Sequence, residues 1–383
     1  MTVTKHGPVL TRRRLIQAGA GGVALAGLGL RPALAQGYDR PFTWISPRGT
    51  LEVLDDYAYW VARKQGYFGD LSIDIQPGPS DGTAVVKFVD VGQADMGFPS
   101  PGVFGFGLRE GMDLKSVFHE GARDTFSLAF RAGEGVQDIK EIEGKTILLG
   151  SAAWQPIVDP MLLAQGVDVS TITYVEAGWP TWGTALAGGQ GDAALSWEGL
   201  RAEWVASGLD FEYWLGVQNS PLPANTFVVR ASDLEDQAKR DFIARYLRGW
   251  AMGLEFAHHN PRAAVQAVFE QFPTLASNLG PELGLMSLVQ QQNVFRGDWE
   301  TRQGWGWHDM ASWQTMFDMI AQVDGSTPAV AEEVVTNDLI PEANDFDAAQ
   351  VQAEAEAEAA EVAEEFMAVD VDALRATMFD QAI

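Results

Sequence analysis

The sequence predicts an α/β protein built from two similar lobes, each a mainly parallel β-sheet flanked by helices. Short apolar runs typical of strands alternate with segments of helical spacing in two successive stretches of the chain. This alternation favours parallel sheets with helices on both faces. A Gly-Gln-x-Asp pattern occurs at residues 92–95 and again at residues 189–192. Because it opens a strand in both stretches, it indicates two related units.

The first stretch reads β-α-β-α-β. Alternation and apolar content predict strands at residues 42–46, 71–75 and 94–98, each followed by turn-forming prolines. Helices are predicted at residues 55–65 and 82–91, where aromatic or aliphatic residues recur on one face and glycine follows the last turn.

The second stretch repeats this order. It predicts strands at residues 146–150, 172–175 and 193–195, and helices at 157–165 and 181–187. A strand at 226–230 and long helices follow, at residues 238–260, 261–271, 281–294 and 308–322. Residues 348–368 form an Ala/Glu-rich run, which we interpret as an exposed, solvated helix; a partner-binding segment is the alternative.

Composition excludes several function classes. A chain of 383 residues with 46% hydrophobic and 20% charged residues is typical of a globular protein. Its net charge of −26 disfavours binding to nucleic acid or anionic membranes. The chain has no cysteine, which excludes disulfides, thiolate metal sites and a cysteine nucleophile. Hydrolase, metalloprotease and nucleotide-binding motifs are missing. We therefore expect neither a cofactor nor a catalytic site.

Residues 1–35 are predicted to be a cleaved export signal. Five basic and no acidic residues precede Gln36, and a Gly/Ala-rich apolar run leads to the small residues Ala33-Leu34-Ala35. The segment Thr11-Arg12-Arg13-Arg14-Leu15-Ile16 resembles a twin-arginine signal. We expect a periplasmic protein, exported by that pathway and without direct membrane insertion; a retained N-terminal anchor is the alternative.

The predicted strand ends locate a candidate ligand site. Ligands of open α/β sheets bind outside the carboxyl ends of the strands. Serines follow four of these ends, and we expect Ser46, Ser100 and Ser151 to donate hydrogen bonds to a ligand. Helix capping is the alternative function of such serines.

Aromatic and charged residues occur at the same ends. Aromatic rings bind planar or cationic groups by stacking, and we expect four tryptophans of the second stretch to form the walls of the site: Trp154, Trp179, Trp182 and Trp197. Five others, Trp44, Trp60, Trp204, Trp214 and Trp250, are expected to pack in the core.

Arg48 and Glu198 are the expected polar anchors, and Asp56 is a further candidate beside Asp55, for which helix capping is the alternative. Arg48 favours an anionic ligand, whereas Glu198 favours a cationic or N–H-rich one. A zwitterionic ligand fits both, and so does a direct Arg48–Glu198 bridge.

Five segments in order resemble periplasmic solute-binding proteins of the nitrate, sulfonate, taurine and thiamine-pyrimidine-precursor group, which feed ABC importers. They are residues 57–68, ending in Lys64-Gln65-Gly66-Tyr67-Phe68, then 91–97, 114–117, 142–147 and 188–197. The similarity spans about residues 40–345. The cysteine cluster of the related eukaryotic pyrimidine-synthase enzymes is missing, which weakens an enzymatic interpretation.

This resemblance implies a two-lobed type II periplasmic binding protein. Lobe 1 is expected at residues 37–132 plus 225–345, lobe 2 at 133–224, and an acidic C-terminal helical extension at 346–383. Hinge crossings are expected at 131–134 and 223–225. The implied function is closure around a small organic molecule, aromatic or heterocyclic given the tryptophans, for delivery to an ABC permease in the inner membrane. A periplasmic enzyme of the same fold and a ligand-presenting sensory module are the alternatives.

Overall fold

A computed structural model describes residues 40–79 and 83–383. The expected export signal at residues 1–35 lies outside the described residues. None of the described helices combines the length and the apolar character needed to cross a membrane.

The first sheet has the strand order β2-β1-β3-β10-β4. β1 lies between two parallel neighbours, with Phe42 opposite Ile73 of β2 and Trp44 opposite Met96 of β3. β10 runs antiparallel between β3 and β4. The strands are β1 (Phe42–Ile45), β2 (Ile73–Gln76), β3 (Met96–Gly97), β4 (Leu114–Phe118) and β10 (Phe227–Arg230).

The second sheet has the strand order β7-β6-β8-β5-β9. β6 pairs in parallel with β7 and β8, and β5 runs antiparallel between β8 and β9. The strands are β5 (Phe126–Arg131), β6 (Thr146–Leu149), β7 (Thr173–Glu176), β8 (Ala193–Trp197) and β9 (Phe211–Leu215). Each sheet is therefore mixed, with a single antiparallel strand inserted next to the parallel ones.

The position of β5 differs from the expected division of the chain. The sequence assigned residues 126–131 to the first lobe, but β5 pairs along its length with β8 and β9. Its side chains from Phe126 to Phe130 are buried, so both faces of this strand are covered within the second sheet. The chain consequently leaves the first sheet after β4 and enters the second at β5, before the expected crossing at 131–134. The lobe limits themselves stay a prediction.

Helices cover the sheets. The predicted helices occur in the predicted order, and others that the sequence did not predict, such as Pro101–Arg109 and Leu200–Ala206, lie between them. The long helices agree with the sequence to within about two residues, and Gly280, at φ 64°, divides the helix Pro273–Arg296 just before the predicted start at Pro281. The helices are α1 (Tyr57–Gln65), α2 (Ala84–Asp90), α3 (Pro101–Arg109), α4 (Gln155–Leu163), α5 (Trp182–Ala187), α6 (Leu200–Ala206), α7 (Gly216–Asn219), α8 (Gln237–His259), α9 (Pro261–Gln271), α10 (Pro273–Arg296), α11 (Met310–Asp324), α12 (Ala331–Val334), α13 (Ile340–Ala343), α14 (Ala348–Glu358), α15 (Glu364–Met367) and α16 (Val371–Thr377).

The five tryptophans expected in the core are all buried. Trp250 of α8 packs against Trp44 of β1 and, edge to face, against Phe227 of β10, at ring-centroid distances of 5.6 and 4.7 Å. Edge-to-face and offset aromatic pairs of this kind add to the free energy gained by burial. They attach α8 firmly to the middle of the first sheet.

The Ala/Glu-rich run is not the single solvated helix that the sequence suggested. It is divided into α14 and α15 by a short 3₁₀ turn, and its apolar side is buried. Val351 and Ala355 of α14 pack in the core of the first sheet together with Phe366 of α15. Glu356, Glu361, Glu364 and Glu365 are exposed, as expected.

The pH dependence of stability tests the crossing between the sheets. Asp124 is buried there and accepts a hydrogen bond from the Phe126 N–H at 3.0 Å. Burial raises its pKa to about 7, although hydrogen bonds from Ser220 and Phe126 oppose the shift. The folded chain thus binds this proton more tightly than the unfolded chain does. The stability contributed by protonated Asp124 is complete below the ordinary aspartate pKa of about 4. It is lost as the pH rises through 7.

Asp124→Asn cannot ionise, so we expect its free energy of unfolding to fall less as the pH rises. At pH 8 we expect this variant to be more stable than the natural chain by about 1 kcal/mol or more. Urea unfolding at pH 4, 6 and 8 measures this, with Asp338→Asn, a change at an exposed carboxylate, as the matched control. Parallel stability curves for Asp124→Asn and the natural chain would contradict the assignment.

Candidate functional site

A cleft lies where the carboxyl ends of strands from both sheets face each other. Arg48, Asp55 and Ser100 line it from the side of the first sheet, and Trp154, Trp197 and Glu198 from the side of the second. Its empty space, including the solvent at its mouth, is about 740 Å³. The cleft therefore brings together five of the ten predicted site residues.

The serines serve mainly local purposes. The Ser46 Oγ, fully buried, accepts a hydrogen bond from the Arg48 N–H at 3.1 Å. The Ser151 Oγ accepts one from the Ala153 N–H at 3.3 Å, capping a short 3₁₀ turn. Neither lines the cleft. Ser100 does line it, and it also caps α3 by accepting from the Val103 N–H at 3.3 Å. The capping alternative thus accounts for Ser151, whereas Ser46 stabilises the bend after β1 and caps no helix. Ser100 both caps a helix and lines the cleft.

The four predicted tryptophans form one cluster, but only two of them face the cleft. Trp154 and Trp197 line it, with ring centroids 5.9 Å apart and edge-to-face geometry. Trp182 is 1% exposed, and its indole N–H donates to the Leu195 carbonyl at 2.7 Å. Trp179 is half-buried and stacks on Trp182 and Trp197 at 4.9 and 5.9 Å. The walls are therefore Trp154 and Trp197, and the other two support them from behind.

Arg48 lies between two carboxylates of its own sheet. Its Nη2 is 2.5 Å from Asp56 Oδ1, and its Nη1 is 3.6 Å from Asp55 Oδ1. Burial disfavours the charge of Arg48, but the carboxylates of Asp56 and Asp55 outweigh this effect and raise its pKa. Asp56 is fully buried and does not line the cleft. It therefore holds and neutralises Arg48.

Glu198 is paired within the second sheet in the same manner. Its Oε2 accepts from Arg201 Nη2 at 2.9 Å, and both side chains are 1% exposed. Its Oε1 has no hydrogen-bond partner among the described residues. Burial raises the pKa of Glu198, and Arg201 opposes the shift. Because Arg48 and Glu198 have separate partners, the direct bridge between them that the sequence left open is not formed.

Contacts across the cleft keep its two sides close. The Gly199 N–H, which follows β8, donates to Gln290 Oε1 of α10 at 3.2 Å. Gly102 of α3 approaches Pro156 of α4 so closely that a Cβ at position 102 would lie 1.9 Å from the Pro156 carbonyl oxygen. The arrangement is therefore a closed one, and Gly102 permits it because it has no side chain.

Several residues that line the cleft were not predicted from the sequence. Gln291 of α10 is 1% exposed and lines the cleft, and its Oε1 has no partner among the described residues. It follows no strand, so the strand-end argument could not find it. The available signal was a run of three glutamines, Gln290-Gln291-Gln292, between Val289 and Val294 in an otherwise apolar helix. Asp55, for which helix capping is the alternative in the sequence, also lines the cleft.

A row of polar side chains in the first lobe resembles a hydrolytic triad but lies outside the cleft. His308 Nε2 is 2.7 Å from Ser116 Oγ, and His308 Nδ1 is 2.9 Å from Asn337 Oδ1. Ser116 and His308 are fully buried, and none of the three residues lines the cleft. Burial lowers the pKa of His308 to about 3. The neutral imidazole therefore fixes the loop after Trp307 to β4.

Solved structures share this fold. The alkanesulfonate-binding protein SsuA from Xanthomonas axonopodis pv. citri, bound to MOPS, has a TM-score of 0.60 and 13% identity, over 79% of this chain and 99% of that chain. The periplasmic aliphatic sulphonate binding protein SsuA from Escherichia coli has a TM-score of 0.55 and 12% identity, over 78% and 92%. The conserved Candida albicans CA3427 gene product, which has the generic periplasmic binding protein fold, has a TM-score of 0.54 and 13% identity, over 77% and 95%.

These likenesses confirm the predicted two-lobed periplasmic binding protein fold. No curated protein sequence matches the chain. A family model described as "NMT1/THI5 like" matches residues 55–264, which is more than half of the chain and includes both walls of the cleft. The chain belongs to the NMT1/THI5-like family.

Proposed function

We propose that this chain is the periplasmic substrate-binding component of an ABC-type importer and that it closes around one small organic molecule. The observation that carries the proposal is the closed cleft, with aromatic walls, between two sheets joined by two crossings. Family membership and the shared fold support it, since the similar structures include sulfonate-binding proteins. The twin-arginine-like segment at residues 11–16 supports export to the periplasm.

We infer that the ligand contains a flat aromatic or heterocyclic ring. Trp154 and Trp197 present indole surfaces to the cleft, and Phe98, Phe126 and Phe295 add further apolar surface. Ring stacking on tryptophan contributes favourable energy beyond the area buried. A bare inorganic anion would leave these surfaces unused.

The charges of the cleft favour a ligand that donates hydrogen bonds or carries a positive charge. Arg48 is already neutralised by Asp55 and Asp56. Glu198 Oε1 and Gln291 Oε1, in contrast, are buried acceptors without partners among the described residues. Burying an unpaired acceptor costs about 1–3 kcal/mol, and a ligand N–H at each of them removes that cost. A sulfonate brings no such donor.

Thermal unfolding of the mature chain, residues 36–383, tests the ligand class. We expect stabilisation by nitrogen heterocycles or aromatic amines and none by alkanesulfonates. A ligand at about a hundred times its dissociation constant stabilises by roughly 2.7 kcal/mol, which shifts Tm by several degrees. The panel represents the nitrogen heterocycles by pyrimidines and also includes aromatic carboxylates. Stabilisation by sulfonates alone would overturn the inferred ligand polarity, and turnover of a hit would favour an enzyme.

Paired substitutions test the site. With any compound that stabilises the chain, we expect Trp197→Ala and Trp154→Ala to weaken binding at least tenfold, because each removes about 1.4 kcal/mol or more of ring contact. Trp179→Ala is the matched control: it changes a half-buried member of the same cluster that does not line the cleft. Isothermal titration measures the affinities. Equal losses for Trp179→Ala and Trp197→Ala would mean that the cluster acts only as packing.

A further inference from the structure

The chain makes a third connection between the two sheets after residue 346. α14 packs on α8, and Phe366 of α15 lies 5.9 Å from Phe269 of α9. Val371 and Leu374 of α16 are buried in the core of the first sheet. All of these contacts are on the side of the first sheet. Residues 378–383, which we call the tail, then leave that side.

The tail attaches to the second sheet. The Tyr213 N–H of β9 donates to the Gln381 carbonyl at 2.8 Å, and the Ile383 N–H donates back to the Tyr213 carbonyl at 3.0 Å. Phe379 and Ala382 pack against the core of the same sheet. β9 is the outer strand there, so the tail satisfies backbone groups that an edge strand otherwise leaves open.

The tail also contacts the partner of a cleft residue. Arg201 Nη2 donates to the Met378 carbonyl at 2.8 Å and to Glu198 Oε2 at 2.9 Å. Its guanidinium lies 5.4 Å from the centre of the Tyr213 ring, and its Nε and Nη1 have no partner among the described residues. The tail carbonyl therefore supplies one of the two hydrogen bonds that fix this buried cation behind Glu198.

We propose that the tail is a strap that restrains opening of the cleft and helps to position Glu198 through Arg201. The strap holds the second sheet to helices packed on the first, at a place separate from the two crossings next to β5 and β10. A wide opening of the cleft, larger than the attached tail permits, then requires the tail to detach from β9. The proposal extends the proposed function, since it rests on the two lobes moving to admit a ligand.

The missing cysteines make a direct test available. Val91 on the first-sheet side and Val205 on the second-sheet side are 64% and 41% exposed. Val91→Cys and Val205→Cys in one chain give two sites for spin labels, and pulsed electron paramagnetic resonance measures the distance between them without any ligand. We expect one narrow distance distribution for the full chain and an added longer population for a chain ending at Thr377. Gln381→Ala is the matched control, because it keeps the carbonyl that pairs with Tyr213. Identical distributions for the full and shortened chains would overturn the proposal.

Hydrogen exchange of the full-length chain covers the case in which the shortened chain folds poorly. The proposal requires the Tyr213 amide to be protected by Gln381. We expect Ile383→Pro, which removes the second hydrogen bond to β9 and leaves the rest of the tail in place, to speed exchange at Tyr213 by about tenfold. Unprotected exchange at Tyr213 in the unaltered chain would refute the strap. Neither measurement uses a ligand. A result that contradicts the strap can therefore be distinguished from one that contradicts the proposed binding function.

Discussion

The closed cleft depends on each sheet neutralising its own buried charges. Arg48 pairs with Asp55 and Asp56 on the first-sheet side, and Glu198 pairs with Arg201 on the second. A buried charge that loses its partner costs several kcal/mol. Because neither Arg48 nor Glu198 has its ion-pair partner on the opposite side of the cleft, the two sides can separate without leaving any of these charges alone. The same pairing leaves oxygen acceptors without partners among the described residues, on Glu198 and Gln291, rather than a free cation, at the lining of the cleft.

Stacked aromatic rings give this polar site its shape. Trp182, fixed by its hydrogen bond to Leu195, carries Trp179 and Trp197 on its face, so Trp197 has little freedom to move away from the cleft. Burial raises the pKa of the Asp55 carboxyl on the other side of the cleft. Arg48 opposes this shift, and so, to a smaller extent, does the indole N–H of Trp197. Trp197 is therefore both a wall and a contact between the two halves.

Most of the fold could be predicted from the sequence, because strand and helix periods and glycine or proline stops are local signals. β5 was missed as part of the second sheet because sheet membership is a tertiary property, which an apolar run such as Phe126–Arg131 does not reveal. For the site, the strand-end argument selected Arg48, Ser100, Trp197 and Glu198, which line the cleft; their contact with a ligand stays a prediction. Strand ends could not separate a serine that caps from one that faces a ligand. They also could not find Gln291, which a helix supplies. Which charges pair depends on distances of a few ångströms, and no spacing in the sequence encodes them.

The strand order also constrains how the chain folds. β10, at residues 227–230, lies between β3 and β4, which precede it by more than a hundred residues. The first sheet is thus incomplete until the whole second sheet has been synthesised, whereas β5 to β9 are contiguous in sequence. Contacts between distant segments form slowly, and domains tend to fold in order of synthesis. During translation the second sheet therefore forms first, whereas β3 keeps an unpaired edge until β10 has been synthesised.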